Sequence, residues 1–257
     1  MIEKNSTVDT VDKPGRKSLQ SANANIVANF KQLIGFCAAY GTAYSPSEDH
    51  LTLDVLYAQH RMAEDVMAAL ALAKTAYNNA TNAREEAFEP LKKLATKMVN
   101  ALAATKASKL TIDDAISVNR KIQGRRAGSK SKVNPAETSE PASVSNSVSQ
   151  QGFDTLLDNF AKLVQTLSAE PRYKPNEPEL QVKSLNALLT DLKNKNDEVI
   201  HASVNLSNVR IERNTILYAP ETGVYDVAMA IKKYVKSIFG AKSPQFAQVS
   251  AVKFFSR

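Results

Sequence analysis

Steps of three and four residues from Leu185 land on Leu185, Leu188, Leu192, Lys195, Val199, Ala202, Leu206, Val209, Arg213 and Ile216, and eight of these ten are apolar. The same walk from Leu56 gives Leu56, Gln59, Ala63, Val66, Leu70, Ala73, Tyr77, Ala80, Arg84 and Ala87, again eight of ten. A seven-residue register held without a gap puts every apolar position on one stripe of a helix. Two helices of about 40 residues are therefore expected, each spanning roughly 60 Å at 1.5 Å per residue.

Shorter patterns flank both. Helices are expected before them, at about Ser21 to Ala39 and Phe153 to Leu167, and after them, at about Pro90 to Thr105 and Thr222 to Phe239. Gly240 stands where a C-terminal cap belongs. Ser243-Pro244 reads as the start of a short last helix, because Pro suits a first helical turn. Thr111 to Asp114 plays the same part in the first half, leading into Ile112, Ile116 and Ile122.

The two long patterns belong to a duplication. Residues 44–56, YSPSEDHLTLDVL, resemble residues 173–185, YKPNEPELQVKSL, at a spacing of 129. NFKQLI at Asn29–Ile34 matches NFAKLV at Asn159–Val164 at a spacing of 130. Both Tyr-x-Pro-x-Glu stretches, Tyr44–Glu48 and Tyr173–Glu177, read as helix starts: Pro pre-sets the first turn and Glu favours its positive end.

The expected organisation is a flexible tail at 1–16, a first helical repeat at 17–123, a disordered linker at 124–151 and a second repeat at 152–257. The linker, GRRAGSKSKVNPAETSEPASVSNSVSQQ, has no aromatic residue and too little apolar surface to offset its ordering entropy. As a coil it would average roughly 30 Å end to end. In each half two flanking helices are expected antiparallel to the long one, so the fold class is all-α, an elongated up-down bundle of two homologous halves.

Composition agrees with helix. Of 257 residues 43% are apolar and 23% charged, aromatics are only 7%, Trp is absent and Gly numbers 8. The single cysteine, Cys37, excludes an internal disulfide and any multi-cysteine metal site. No run approaches 18 apolar residues, so no membrane span is expected. The first residues show no apolar core of a signal peptide, which points to the cytoplasm.

Candidate chemistry is sparse. His60 and Glu64 stand at i, i+4, but no second His joins them, and His50 and His201 lie elsewhere. Asp113 and Asp114, or Glu85 and Glu86, are sequence neighbours and point apart on a helix. No phosphate loop and no nucleophile motif occurs. Neither enzyme chemistry, a cofactor nor a metal is expected.

Arg84 and Arg213 occupy the same heptad position in an apolar stripe. Each either lays its stem on the core and reaches water, or forms a structural ion pair with Glu85, Glu86 or Glu212, or holds an anion.

The net charge of +7 is unevenly spread. Arg120, Lys121, Arg125, Arg126, Lys130 and Lys132 end the first half without an intervening acid. No acid follows Asp226, whereas Lys232, Lys233, Lys236, Lys242, Lys253 and Arg257 do. In a two-fold-like arrangement these runs would form one basic surface able to neutralise phosphates, or a merely solvated face. Tyr234, Phe239, Phe246, Phe254 and Phe255 lie among the second run, where aromatics stack on bases or fill a core.

The stretch NTILYAPETGVYDVAMAIKKYVKSIFGAKSPQFAQV at Asn214–Val249 resembles a recurrent pattern in duplicated helical-bundle proteins of unknown function from Bacteroidetes-type bacteria. The matching residues are Leu217-Tyr218, Thr222-Gly223, Tyr234 to Ser237, Phe239-Gly240 and Ser243, and the block NRKIQGRR at Asn119–Arg126 has a similar character. The resemblance covers the second half well and the first loosely. It implies a helical bundle and assigns no activity and no site residue. The expected role is a scaffold or protein-interaction module, with a protein partner or a second copy; the alternative is nucleic-acid binding through the basic ends.

Overall fold

The computed structural model describes residues 19–124 and 152–255. The expected tail, and the expected linker beyond Gly124, lie outside the described residues, as do Arg125 and Arg126. The described residues are all-helical, without a strand. In chain order they form α1 (Leu19–Ala39), α2 (Leu53–Phe88), α3 (Leu91–Ala103), α4 (Lys109–Ile122), α5 (Phe153–Ala169), α6 (Val182–Tyr218), α7 (Val224–Phe239) and α8 (Pro244–Ala251).

The long helices α2 and α6 run for 36 and 37 residues. None of the stripe positions from Leu56 to Ala87, or from Leu185 to Ile216, is exposed. Leu56, Ala63, Leu185 and Leu192 lose all contact with water.

Two compact units divide the described residues. One combines those up to Lys74 with those from Leu206 on; the other is Thr75–Asn205. Each draws helices from both expected halves. In the first unit α1 packs on α7 and α8, and its core joins Phe30 and Leu33 of α1, Leu56 of α2, Leu217 of α6 and Ile231 of α7. In the second, α5 packs on α3 and α4, and its core joins Phe88, Leu91, Met98, Phe160, Leu163 and Leu185. The reason is length. A long helix carries more stripe than a flanking helix of 13–21 residues covers, so each of its ends contributes to a separate core.

The Tyr-x-Pro-x-Glu stretches are not helix starts. Glu48 and Glu177 have extended backbones, and each is followed by one 3₁₀ turn before α2 or α6 begins. What shapes these loops is the tyrosine. Tyr44 is buried and its hydroxyl donates to the Leu51 carbonyl at 2.8 Å. Tyr173 is buried and donates to the Leu180 carbonyl at 2.9 Å. Each closes a seven-residue loop onto the core and satisfies a carbonyl that water reaches poorly.

Helix ends elsewhere follow local chemistry. Gly240 caps α7 at φ +87°, its N–H donating to the Lys236 carbonyl at 2.9 Å. Ser243 caps α8 by accepting from the Phe246 N–H at 3.0 Å. α4 begins at Lys109, two residues before the expected Thr111, because Ser108 caps it and its hydroxyl accepts from the Thr111 N–H.

Burial holds these tyrosines and Cys37 neutral. Desolvation pushes the Cys37 thiol up to about 11, against a partly opposing hydrogen bond with Tyr44. Desolvation, then the Glu177 charge, pushes Tyr173 up to about 12. Tyr44 is raised as well, first by burial and then by Cys37. Groups raised in the folded state stabilise it fully below their unfolded values, 9.0 for Cys and 10.0 for Tyr. That stabilisation should disappear as pH climbs through 11 to 12, and alkaline melts should show it. Tyr173→Phe should flatten the loss above pH 10 and cost about 1–2 kcal/mol at neutral pH, by leaving the Leu180 carbonyl unmet.

Candidate functional site

Beside its buried stripe α2 carries a second one, offset by one residue. Val55, Ala58, Met62, Asp65, Ala69 and Leu72 recur at steps of three and four, and all but Ala69 are exposed. Val55, Met62 and Leu72 leave 43%, 52% and 72% of their surface in water. Single exposed apolar residues are ordinary, but a stripe of them along one helix is not.

The N-terminal part of this stripe forms one wall of a groove of about 820 Å³ within the first unit. Val55, Ala58, Gln59 and Met62 line it from α2; Glu221, Thr222 and Val227 line it from the turn into α7 and from α7 itself. His50 and Asp54 complete the rim. Gln59, the polar interruption of the buried stripe, fastens the two walls: it is buried, and its Nε2 donates to the Thr222 carbonyl at 2.7 Å.

The opposite wall is held by a tight turn. The Gly223 N–H donates to the Ala219 carbonyl at 2.8 Å, and the Glu221 N–H donates to Asp226 Oδ2 at 2.8 Å. Glu221 has φ +66°, the left-handed region that favours glycine. Gly223 has an ordinary φ but no room: a Cβ there would lie 2.6 Å from the Ala219 nitrogen and 2.7 Å from its oxygen.

The basic residues fall into two local sets. Arg120 and Lys121 are exposed at the end of α4, in the second unit. Lys232, Lys233 and Lys236 lie on α7, and Lys242 just after it, in the first. Lys232 is half-buried, donates to the Val252 carbonyl and sits 5.2 Å from the Phe254 ring. Its pKa is lowered, by burial first and by the nearby Lys253 charge second. Lys236 lies 5.6 Å from the Phe246 ring. Phe246 and Phe254 pack against the core of this unit, as do Tyr234 and Phe239; Phe255 is exposed.

Both arginines hydrogen-bond to asparagine side chains. Arg84 donates from Nη1 to Asn196 Oδ1 at 3.1 Å and stacks over the Phe153 ring at 4.0 Å. Asn196 in turn donates to Asp154 Oδ1 at 2.6 Å, so the carboxylate acts on Arg84 through an amide. Arg213 donates to Asn214 Oδ1 at 2.7 Å. Glu85, Glu86 and Glu212, the acids proposed from sequence as partners, are exposed, and none forms an ion pair within 4.0 Å of Arg84 among the described residues.

His60 is buried with Nδ1 3.4 Å from Glu64 Oε2, and its Nε2 has no hydrogen-bond partner among the described residues. No group of three or more His, Cys, Asp or Glu side chains gathers among the described residues. No described helix is long and apolar enough to cross a membrane. The second unit has an open cleft of about 610 Å³ between α3 and the Tyr173 loop, bridged by Lys97 Nζ and Glu179 Oε1 at 2.7 Å.

Comparison with protein-family models, with curated proteins and with solved structures returns no match for this chain.

The turn makes a paired prediction. Gly223→Ala should destabilise the protein by about 1–3 kcal/mol, because its methyl meets rigid backbone. Gly35→Ala, on the exposed side of α1 with nothing within 4 Å of the new carbon, should stabilise it by about 0.5–1 kcal/mol. Thermal melts of the two variants check both signs.

Proposed function

We propose that this protein is a non-enzymatic scaffold or protein-interaction module, built from two copies of one helical sequence. Its partner is another protein's helix or a second copy of the chain, and its setting is the cytoplasm. The observation that carries the reading is the second stripe of α2, Val55, Met62 and Leu72, left in water along a helix whose adjacent stripe is buried. An amphipathic helix laid along such a stripe buries anchors at i, i+3 or i+4, and i+7. Several large apolar side chains at about 1.5–3 kcal/mol each give that contact its driving force.

A second reading is binding of a nucleic acid by the lysines of α7 and of the segments on either side of α8. The specific support is the crowding of Lys232 by Lys253, since two like charges held close gain from a polyanion that bridges them.

Two experiments separate these readings. A photo-crosslinking side chain at Met62 or Leu72 should give discrete protein adducts in the source cells, and one at exposed Asp191 of α6 should not. Equal yields at all three positions would remove the scaffold reading. For the second, the nuclease-treated protein is titrated with labelled DNA and RNA. Binding that persists at physiological salt and drops when Lys232, Lys233 and Lys236 become Gln would support it; binding only at low salt would remove it.

A further inference from the structure

We infer that the occupant of the α2 groove is a basic amphipathic helix from another protein, whose Lys or Arg side chains meet the groove's acidic rim. The inference rests on the interaction-module reading above and adds the chemistry of the partner.

Three observations point that way. First, the charge at the groove is opposite to that of the chain. The chain carries +7, yet the groove is lined by Asp54 and Glu221 and by no Lys or Arg. Asp65 continues the acidic character along the stripe, with Arg61 at its outer edge. The net positive charge repels a basic partner at long range while the rim attracts it at close range, so a preference for basic partners would be a local property of the rim.

Second, Glu221 holds its place against local backbone preference. Its φ of +66° is one that glycine adopts without strain, yet a long acidic side chain stands there and faces the groove.

Third, the dimensions suit a helix. The stripe from Val55 to Leu72 is about 26 Å long at 1.5 Å per residue. That matches a partner helix of about 18 residues and exceeds a small molecule. The groove is also preformed: Gln59 ties its walls together, and the Ala219–Gly223 turn fixes the far one. A partner therefore pays little for ordering it.

The test uses the full chain and two model helices of about 18 residues, with the same Leu stripe on Ala and either Lys or Glu along its edges. Binding is read by fluorescence anisotropy at physiological salt. The Lys-edged helix should bind about tenfold tighter than the Glu-edged one. The double variant Asp54→Asn, Glu221→Gln should erase that preference, and Met62→Asn should weaken both peptides. All three positions are exposed, so folding is preserved, and a thermal melt checks it.

Equal affinity for both peptides, still lost in Met62→Asn, would overturn the basic-partner inference and leave the groove as an interaction site. Binding that Met62→Asn does not change would overturn the groove reading itself. Sedimentation showing a dimer of the wild-type chain that Met62→Asn dissolves would name a second copy as occupant, and would also overturn the inference.

Discussion

The apolar seam running down each long helix must be taken out of water, and 36 or 37 residues of helix carry more seam than flanking helices of 8–21 residues can cover. Everything else in the described structure follows from that demand. The start of α2 and the end of α6 enter one core, and the end of α2 and the start of α6 enter another. Short helices distant in sequence are thereby brought together: α1 with α7, and α5 with α3. Contacts of such sequence separation are slow to form, because loop-closure entropy opposes them until the seam is buried.

The same demand explains the polar residues admitted to the seam. Gln59 reaches the Thr222 carbonyl, and Arg84 reaches the Asn196 amide and the Phe153 ring. Gln59 carries no charge; the amide and the ring face partly offset the cost of the Arg84 guanidinium, whose buried Nε has no hydrogen-bond partner among the described residues. Both fix how neighbouring segments meet. Gln59 couples the seam to the groove, so the groove is positioned by a residue that belongs to the core.

Much of this was legible in the sequence. The seven-residue register located the buried positions of α2 and α6, because one helical period governs both pattern and burial. Gly240 and the Ser243-Pro244 pair marked the boundary between α7 and α8, since capping depends on neighbouring residues alone. The groups acting at long range were not legible. Tyr44 and Tyr173 bond carbonyls seven residues on, and a Pro-x-Glu beside them imitated a helix start. Arg84 meets an amide 112 positions away, a partner that no local pattern marks. The second stripe at Val55, Met62 and Leu72 lies one residue out of phase with the first, and the Asp65 within it breaks its apolar pattern.

On this account α2 is two-faced: one stripe holds the protein together and the next holds a partner. The most direct measurement is methionine oxidation by brief radical exposure, comparing the purified protein with the protein inside its source cells. Met62, half in water, and Met98, fully buried, serve as probe and internal reference. The account predicts that Met62 oxidises readily in the purified protein and is protected in the cell, while Met98 is protected in both. Equal oxidation of Met62 in the two settings would contradict it, leaving the second stripe an ordinary solvated surface.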